Sequence, residues 1–376
     1  MIDKLIEQFS DLDDPRCLGK VEHPLLDILV IAICAVIARA ESWEDIVLYG
    51  RSKLPWLRQF LALPNGIPSH DTFRRVFVLI DPQAFESCFT NWVGTLAAPG
   101  EREVVAIDGK TLRGSFDRGR EQSPLHLVNA WASERRLVLG QRRVDRKSNE
   151  ITAIPALLDS LVLGNTLVTL DAMGCQKDIA QRIVDREADY PLVLKANHGN
   201  DYAAVRDHFE RHCFGRGATV RPALDAFDEG HGRLVRRRVF ADPQAASLET
   251  LKDWPRLKTV LAVEAIRSVN GSDQVEAEIR YFLSSFAGDP SILAQAIRRH
   301  WSIENNLHWV LDVTFREDDC RIRDAIAARN FALLRKIAIN LLTQDRFTKT
   351  SLRGKRKKAA WDDNCMLQLL QTHFMR

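Results

Sequence analysis

Three acidic side chains in this sequence could support metal-dependent chemistry. Asp108 ends the apolar run 104–107, and Asp171 ends the run 166–170, each just before small residues. Glu304 lies in a third segment, where apolar residues recur every three or four positions as they do on one face of a helix. Carboxylates held close together need a divalent cation to neutralise them, and oxygen ligands suit Mg²⁺ or Mn²⁺. The pattern therefore predicts a site for such ions, and the alternative for each aspartate is that it caps a turn.

Two histidines flank Glu304 at ligand spacing, which raises the alternative of a zinc site. His300 and His308 lie four residues before and after Glu304. The segment does not read H-E-x-x-H, and no cysteine or third histidine stands near it in sequence. The Mg²⁺ or Mn²⁺ interpretation is therefore favoured over zinc.

Several basic residues could contact phosphate groups. Some of these basic residues follow the predicted acidic positions or end a neighbouring strand, and two lie on a helix predicted to begin at Ser69. Other basic residues belong to the segment 346–358, which holds seven Lys or Arg and no acid. Such a run can bind phosphates by releasing counterions, whereas the alternative in each case is a solvated basic surface. The candidates among these are Lys110, Arg113, Lys195, Arg74, Arg75, Arg356 and Lys357.

Two further charged clusters have plainer interpretations. The run Arg233, Arg236, Arg237 and Arg238 is either a phosphate-contacting face or a charged strand edge that resists aggregation. An acidic cluster from Asp312 to Asp319 is predicted to be a helix end followed by a solvated loop.

Secondary-structure patterns place these residues on an α/β framework. Residues 1–98 are predicted to be an all-helical domain with a possible role in DNA binding, and Pro99-Gly100 marks a change to strands. Residues 99–345 are predicted to form a mixed sheet flanked by helices, an α/β domain, and 346–376 a basic tail. The predicted strands of its sheet are 103–108, 125–132, 136–144, 166–171 and 191–195, with helices 151–162 and 176–187 between them.

A β-rich insertion is predicted within that domain, at about 198–288. Its three strands are 232–240, 258–269 and 275–284, and Asn270-Gly271 is predicted to form the hairpin turn between the last two.

Composition narrows the class of protein. The 376 residues are 45% hydrophobic and 27% charged, with a net charge of only +3, which is ordinary for a globular protein of two or three domains and excludes a histone-like one. Seven dispersed cysteines without C-x-x-C argue against a disulfide framework and predict a cytoplasmic location. The longest apolar run has 11 residues, fewer than the roughly 20 that a membrane span needs.

Several motifs, taken together in order, resemble one family. They are Asp108-Gly-Lys-Thr-x-Arg, Asp171-Ala-Met-Gly-x-Gln, Leu194-Lys-Ala-Asn and His300-Trp-Ser-Ile-Glu-Asn-Asn-Leu-His-Trp-Val-Leu-Asp, with Asp14-Pro-Arg and Pro68-Ser-x-Asp-Thr-Phe in the helical part. The chain resembles the DDE transposases of bacterial insertion sequences, most closely the branch that includes the H-repeat-associated proteins of Rhs elements. The resemblance covers nearly the whole chain.

The resemblance implies both a fold and an activity. The fold is a ribonuclease-H-like catalytic domain with the β-rich insertion before the last catalytic helix, and the metal-binding triad is Asp108, Asp171 and Glu304. The activity is endonucleolytic cleavage of the element's DNA ends and strand transfer into target DNA, with two Mg²⁺ or Mn²⁺ ions. We expect the partners to be those DNAs and, in the assembled complex, a second copy of the chain; no membrane is expected.

The chain departs from the wider family at one signature. Related transposases carry Tyr-x2-Arg-x3-Glu-x6-Lys on the glutamate helix, whereas the corresponding residues here are Ile297, His300, Glu304 and Leu311. Only the glutamate is retained. His300 or its neighbour Arg299 is the candidate to replace the arginine as a phosphate contact, and the lysine has no counterpart.

Two rival functions remain at this point. A stand-alone metal-dependent nuclease on the same fold would cut DNA without joining it, which a strand-transfer assay separates. An inactive, transposon-derived DNA-binding protein would bind no metal at the three carboxylates.

Overall fold

The N-terminal part of the chain is helical, as its apolar spacing predicts. In this computed structural model the described residues are 3–96, 102–117, 119, 121–145, 148–216, 218–230, 233–269 and 275–371. Serine side chains cap two of the helices: Ser42 accepts a hydrogen bond from the Asp45 amide in a reciprocal capping box, and Ser69 accepts one from the Thr72 amide. The helices are α1 (Asp3–Ser10), α2 (Leu25–Ile37), α3 (Trp43–Ser52), α4 (Leu54–Leu57), α5 (His70–Leu79) and α6 (Pro82–Leu96).

A mixed four-stranded sheet follows. Its first three strands run in sequence, and the fourth returns parallel to the first after a helix, so the order is β3-β2-β1-β4. Residues 104–107 and 167–168 are completely or almost completely buried, because β-branched and small side chains fill both faces of these strands. The elements are β1 (Val104–Leu112), β2 (Leu125–Ala132), β3 (Leu137–Arg143), α7 (Glu150–Asp159), β4 (Leu167–Thr169) and α8 (Lys177–Asp185).

A second sheet of five antiparallel strands has the order β5-β9-β8-β7-β6. Three of its strands match those of the predicted insertion, whereas the strand Leu224–Gly230 has no counterpart in the prediction. Its elements are β5 (Pro191–Leu194), α9 (Gly199–Phe209), β6 (Leu224–Gly230), β7 (Arg233–Asp242), β8 (Thr259–Val269) and β9 (Val275–Ser284). The predicted turn at Asn270-Gly271 and the predicted break at Pro99-Gly100 lie outside the described residues.

The placement of β5 corrects the sequence prediction. This strand was assigned to the same sheet as β1, but its ladder partner is β9, from Pro191 opposite Ser284 to Leu194 opposite Tyr281. An isolated parallel bridge between Leu167 and Asp189, just before β5, is its link to β4. The predicted insertion is therefore joined to β5 by hydrogen bonds in one five-stranded sheet, apart from the sheet that contains β1.

The last part of the chain is helical to residue 371. Between α10 and the 3-10 turn Glu317–Asp319, the backbone contains two π-helical turns, Glu304–His308 and Val310–Thr314. Residues 346–376 were predicted to be a basic tail, but the described part of this segment contains two helices. The helices are α10 (Pro290–Arg299), α11 (Ala325–Gln344), α12 (Leu352–Trp361) and α13 (Asp363–Gln371).

Contacts divide the chain into two compact units. One comprises Met1–Ala98, Gly109–Asn149 and Ile303–Arg376, and contains the N-terminal helices, β2, β3 and α11. The other comprises Pro99–Asp108 and Glu150–Ser302, and contains β4 and the five-stranded sheet. Among the described helices, none combines the length and the apolar character needed to cross a membrane.

Candidate active site

Strand pairing brings Asp108 and Asp171 to the same edge of one sheet. The parallel register between β1 and β4 pairs Ala106 with Thr169; Asp108 lies two residues further along β1, and Asp171 lies two residues beyond the end of β4. Parallel strands present their carboxyl ends at one edge of a sheet, so the two aspartates share that edge. One oxygen of Asp171 accepts hydrogen bonds from the amides of Met173 and Gly174 at 3.0 and 3.2 Å. The alternative that Asp171 caps a turn therefore holds for one of its two carboxylate oxygens.

Glu304 begins a π-helical turn. The Trp309 amide donates to the Glu304 carbonyl, five residues back, and the widened turn places Nδ1 of His308 3.3 Å from Oε2 of Glu304. The glutamate side chain is half exposed, whereas His308 is buried. Such turns recur at functional sites, because the extra residue redirects side chains relative to a regular helix.

Glu304 and His308 form a pair that could ligate a metal ion. The carboxylate and the imidazole offer ligand atoms 3.3 Å apart. Burial lowers the pKa of His308 to about 4, although the adjacent Glu304 carboxylate opposes the shift. The imidazole is therefore neutral near pH 7, and the neutral form is the one that ligates metals. A carboxylate beside an imidazole fits a Mn²⁺ or Mg²⁺ ion, with the nitrogen favouring Mn²⁺.

Lys110 forms ion pairs instead of facing solvent. Its ammonium group lies 2.6 Å from Asp312 and 3.7 Å from Asp318, and the lysine side chain is only 8% exposed. Burial raises the pKa of Asp312, and the hydrogen bond from Lys110 opposes that rise. The prediction of Lys110 as a phosphate contact is corrected here, because its charge is already matched by carboxylates of the chain.

The acidic cluster that contains these partners is not the solvated loop that the sequence predicts. Glu317 is 1% exposed and lies 3.6 Å from Arg335, which is also buried. Asp312 and Asp318 face the buried ammonium group of Lys110. The sequence gives no signal for these pairings, since Lys110 and Asp312 are 202 positions apart.

The remaining phosphate candidates near the strand ends differ in their surroundings. Arg113 is 82% exposed and lies 3.5 Å from Asp318, and Lys195 is exposed just beyond β5. Nδ1 of His300 lies 3.0 Å from the hydroxyl of Thr169, two residues before Asp171, and Arg299 is exposed. These residues stay candidates for phosphate contacts.

On helix α5, Arg74 and Arg75 are both exposed, as a DNA-contacting face requires. The Arg74 guanidinium lies 3.3 Å from the carboxylate of Asp71 one turn earlier. Between such exposed groups the pair is weak, so it leaves Arg74 able to exchange its partner for a phosphate.

Arg356 does not occupy the exposed tail that the sequence predicts. It is 1% exposed, donates to the carbonyls of Val36, Ile37 and Thr314, and stacks over the Phe315 ring. A buried guanidinium with these partners holds α12 against α2, so the prediction of a phosphate contact is corrected. Its neighbour Lys357 is partly exposed and stays a candidate.

Three arginines of the run on β7 pair with carboxylates of neighbouring strands, and the side chain of Arg233 lies outside what the structure describes. Arg236 bonds to Asp225, Arg237 to Asp228, and Arg238 to Glu264. This arrangement favours the charged-strand interpretation over a phosphate-contacting face.

Comparison with known proteins identifies the class. The model of the transposase DDE domain matches residues 99–341, and the model of its associated N-terminal region matches residues 6–93. The chain belongs to the DDE transposase family, which in general consists of DNA-cleaving enzymes.

Several relatives carry names of bacterial transposases. The chain is 41% identical to the H repeat-associated putative transposase YhhI of Escherichia coli K12, over 98% of this chain and 97% of that protein. It is 40% identical to the putative transposase YncI of Escherichia coli O157:H7, over 96% of this chain and 92% of that protein. A relative named inactive transposase YbfQ, from Escherichia coli K12, is 51% identical over 19% of this chain and 87% of its own length.

Among solved structures, the piggyBac transposase synaptic complex with hairpin DNA aligns with 99% of this chain and 78% of that chain. The identity is 12% and the TM-score 0.43, a likeness too weak to support conclusions about fold or site.

Proposed function

We propose that the chain is an active transposase that cuts the ends of an insertion sequence and joins them to target DNA. The proposal rests on family membership across nearly the whole chain, together with one observation: the parallel pairing of β1 with β4 brings Asp108 and Asp171 to the same edge of one sheet. These are two of the three carboxylates that the sequence motifs single out.

The proposed metal-binding triad is Asp108, Asp171 and Glu304. Asp108 and Asp171 leave adjacent parallel strands at equivalent positions, so a rotation of the Asp171 side chain away from its turn would direct its carboxylate toward the edge that Asp108 shares. We place these strands in a ribonuclease-H-like fold, an assignment favoured by the mixed sheet with β1 central beside β4. Two bound divalent ions would supply charge to activate the attacking oxygen and to stabilise the leaving oxygen.

The residues of the chain have separate tasks in this scheme. Asp108, Asp171 and Glu304 would hold the ions, and both Asp171 and Glu304 follow Asp108 along the chain. Exposed cations near the strand ends, Arg113 and Lys195, would hold the DNA backbone on either side of the scissile phosphate. Cleavage by water would free a 3′-hydroxyl at the element's end. This hydroxyl would then attack a phosphodiester of the target DNA, with the target's own 3′-oxygen as the leaving group. Holding two ends together would require a homodimer.

The test replaces each carboxylate by its amide. Asp108→Asn, Asp171→Asn and Glu304→Gln should each abolish Mg²⁺-dependent nicking of DNA that carries the element's end, with DNA binding retained, because the amide keeps the shape and removes the charge. Asp178→Asn, an exposed aspartate in the first turn of α8, is the matched control and should nick normally. Retained nicking in a triad variant would reject its assignment, and cutting without joining in the wild type would identify a nuclease.

A further inference from the structure

A cavity of about 590 Å³ opens directly beside Asp171. Ala172 and Met173 form one wall, and the segment from Val193 to Asn197, just after β5, forms another. Hydrogen bonds from the amides of Met173 and Gly174 to Asp171 fix the first wall to the proposed catalytic carboxylate. Anything bound in the cavity is therefore held next to that residue.

The cavity places two cations opposite each other. The ladder between β5 and β9 ends with Leu194 opposite Tyr281, so the next positions in that register are Lys195 and Arg280. Like charges that face each other across a ladder are unfavourable unless an anion lies between them. Arg280 already shares Glu278, at 2.7 Å, and that carboxylate also lies 3.4 Å from Arg267.

Lys195 is the cation left for a ligand. Within the part of the chain that the structure describes, its ammonium group makes no hydrogen bond and no ion pair closer than 4.0 Å. Arg280, and to a lesser extent Lys195, lower the pKa of Glu278. The one carboxylate in the cavity wall therefore stays ionised and remains paired with Arg280. An additional anion would relieve the charge imbalance that remains at Lys195.

The rest of the lining is apolar or aromatic. Tyr202 lies in the wall, and its ring is held edge-on against Tyr281 with 5.5 Å between centroids. Met173 and Ile279 supply apolar surface, and Asn197 supplies an amide. A flat ring joined to an anionic group matches this combination, since bases stack on aromatic side chains while phosphates meet lysine.

We propose that this cavity binds an unpaired nucleotide of the DNA strand cut at Asp171, with its base against Tyr202 and its phosphate at Lys195. This inference rests on the proposed function and deepens it by naming the part of the substrate that must leave the duplex. The cavity then favours DNA ends that open easily, because unpairing costs least there.

The test uses a short single-stranded oligonucleotide that contains 2-aminopurine, whose fluorescence falls when the base stacks. Wild-type protein should quench the fluorescence, and Tyr202→Leu should lose the quenching. Lys195→Gln should bind the oligonucleotide about tenfold more weakly, and the slope of its affinity against salt concentration should fall by about one released ion. Lys177→Gln removes another exposed lysine of the same unit, outside the cavity, and should match the wild type. Tyr202→Leu also removes a packing contact with Tyr281. Lys195 is exposed, so Lys195→Gln tests the cavity without changing the packing of the fold.

Two further arms separate the outcomes. Equal quenching and affinity in the wild type and both cavity variants, with nicking of duplex DNA intact, would overturn the cavity assignment and leave the proposed function standing. Absence of any DNA binding by the wild type would overturn both. Competition by free deoxyadenosine monophosphate as strong as competition by the unlabelled oligonucleotide would identify a free-nucleotide site and would also overturn the assignment.

Discussion

The ammonium group of Lys110 lies 2.6 Å from Oδ1 of Asp312. Lys110 follows Asp108 by two positions on β1, and Asp312 lies in the second π-helical turn, eight positions after Glu304. The pair therefore joins β1 to the second π-helical turn. We expect it to position these two elements.

Removing this lysine should weaken the fold. Lys110→Met leaves Asp312 and Asp318 half-buried without their cation, and breaking a buried pair costs about 3–5 kcal/mol. Because the Asp312 side chain is 36% exposed and partly screened, we expect a loss of about 2 kcal/mol in the free energy of unfolding, measured in urea. DNA affinity and its salt dependence should be unchanged.

The control for this prediction is Arg113→Met at the end of the same strand. Arg113 is 82% exposed, so its loss should change stability by less than about 0.5 kcal/mol. The exchange Lys110→Asp with Asp312→Lys should recover part of the stability that Lys110→Met loses. A salt slope reduced by about one in Lys110→Met would instead mean that the lysine contacts a phosphate.

A second prediction separates Arg356 from the basic residues around it. Arg356→Leu keeps apolar contact with Phe315 but removes the guanidinium that donates to the carbonyls of Ile37 and Thr314, so we expect a loss of about 2–4 kcal/mol of stability. Lys358→Gln, an exposed neighbour on the same helix, should leave stability unchanged. Circular dichroism during urea unfolding measures both, and equal stability of the two variants would contradict a structural role for Arg356.

These cases show where sequence reasoning about this chain succeeds and where it fails. Apolar periodicity predicts β1, β4 and the helices, because each pattern is local and burial acts on it directly. It also singles out Asp108, Asp171 and Glu304, since a charge at the end of an apolar run is conspicuous. It fails for Lys110, Arg356 and Asp312, whose partners lie far away along the chain. A basic run reads as exposed by default, and only tertiary packing reveals that one member of it is buried.

Lys336 provides a pH prediction. Burial lowers its pKa from 10.5 to about 8, although Glu317 and Glu86 oppose the shift. Below pH 8 both the folded and the unfolded chain hold this proton, so the group adds no pH dependence. Between about pH 8 and 10.5 the unfolded chain binds more protons, so the free energy of unfolding should rise with pH, by up to about 3 kcal/mol from this group.

The variant Lys336→Met isolates that contribution. The neighbouring carboxylates keep their own arginines, with Glu317 3.6 Å from Arg335 and Glu86 2.6 Å from Arg329. The variant should therefore be as stable as the wild type at pH 7, or about 1 kcal/mol more stable, since it removes the cost of a buried charge. Urea unfolding of both proteins across the pH range gives the difference, and a difference that does not change between pH 8 and 10.5 would contradict the lowered pKa.

His308 should tune metal binding at Glu304. Its Nδ1 is 3.3 Å from the Glu304 carboxylate, close enough either to ligate an ion held there or to orient the carboxylate, and both roles raise metal affinity. His308→Phe removes both nitrogens and retains a buried ring, so the metal concentration for half-maximal nicking should rise about 10–100-fold. The rise should be larger for Mn²⁺ than for Mg²⁺ if the nitrogen is a ligand, because imidazole suits the transition metal better. Equal rises would identify His308 as an orienting residue, and no rise would leave it a packed core histidine with no part in the site.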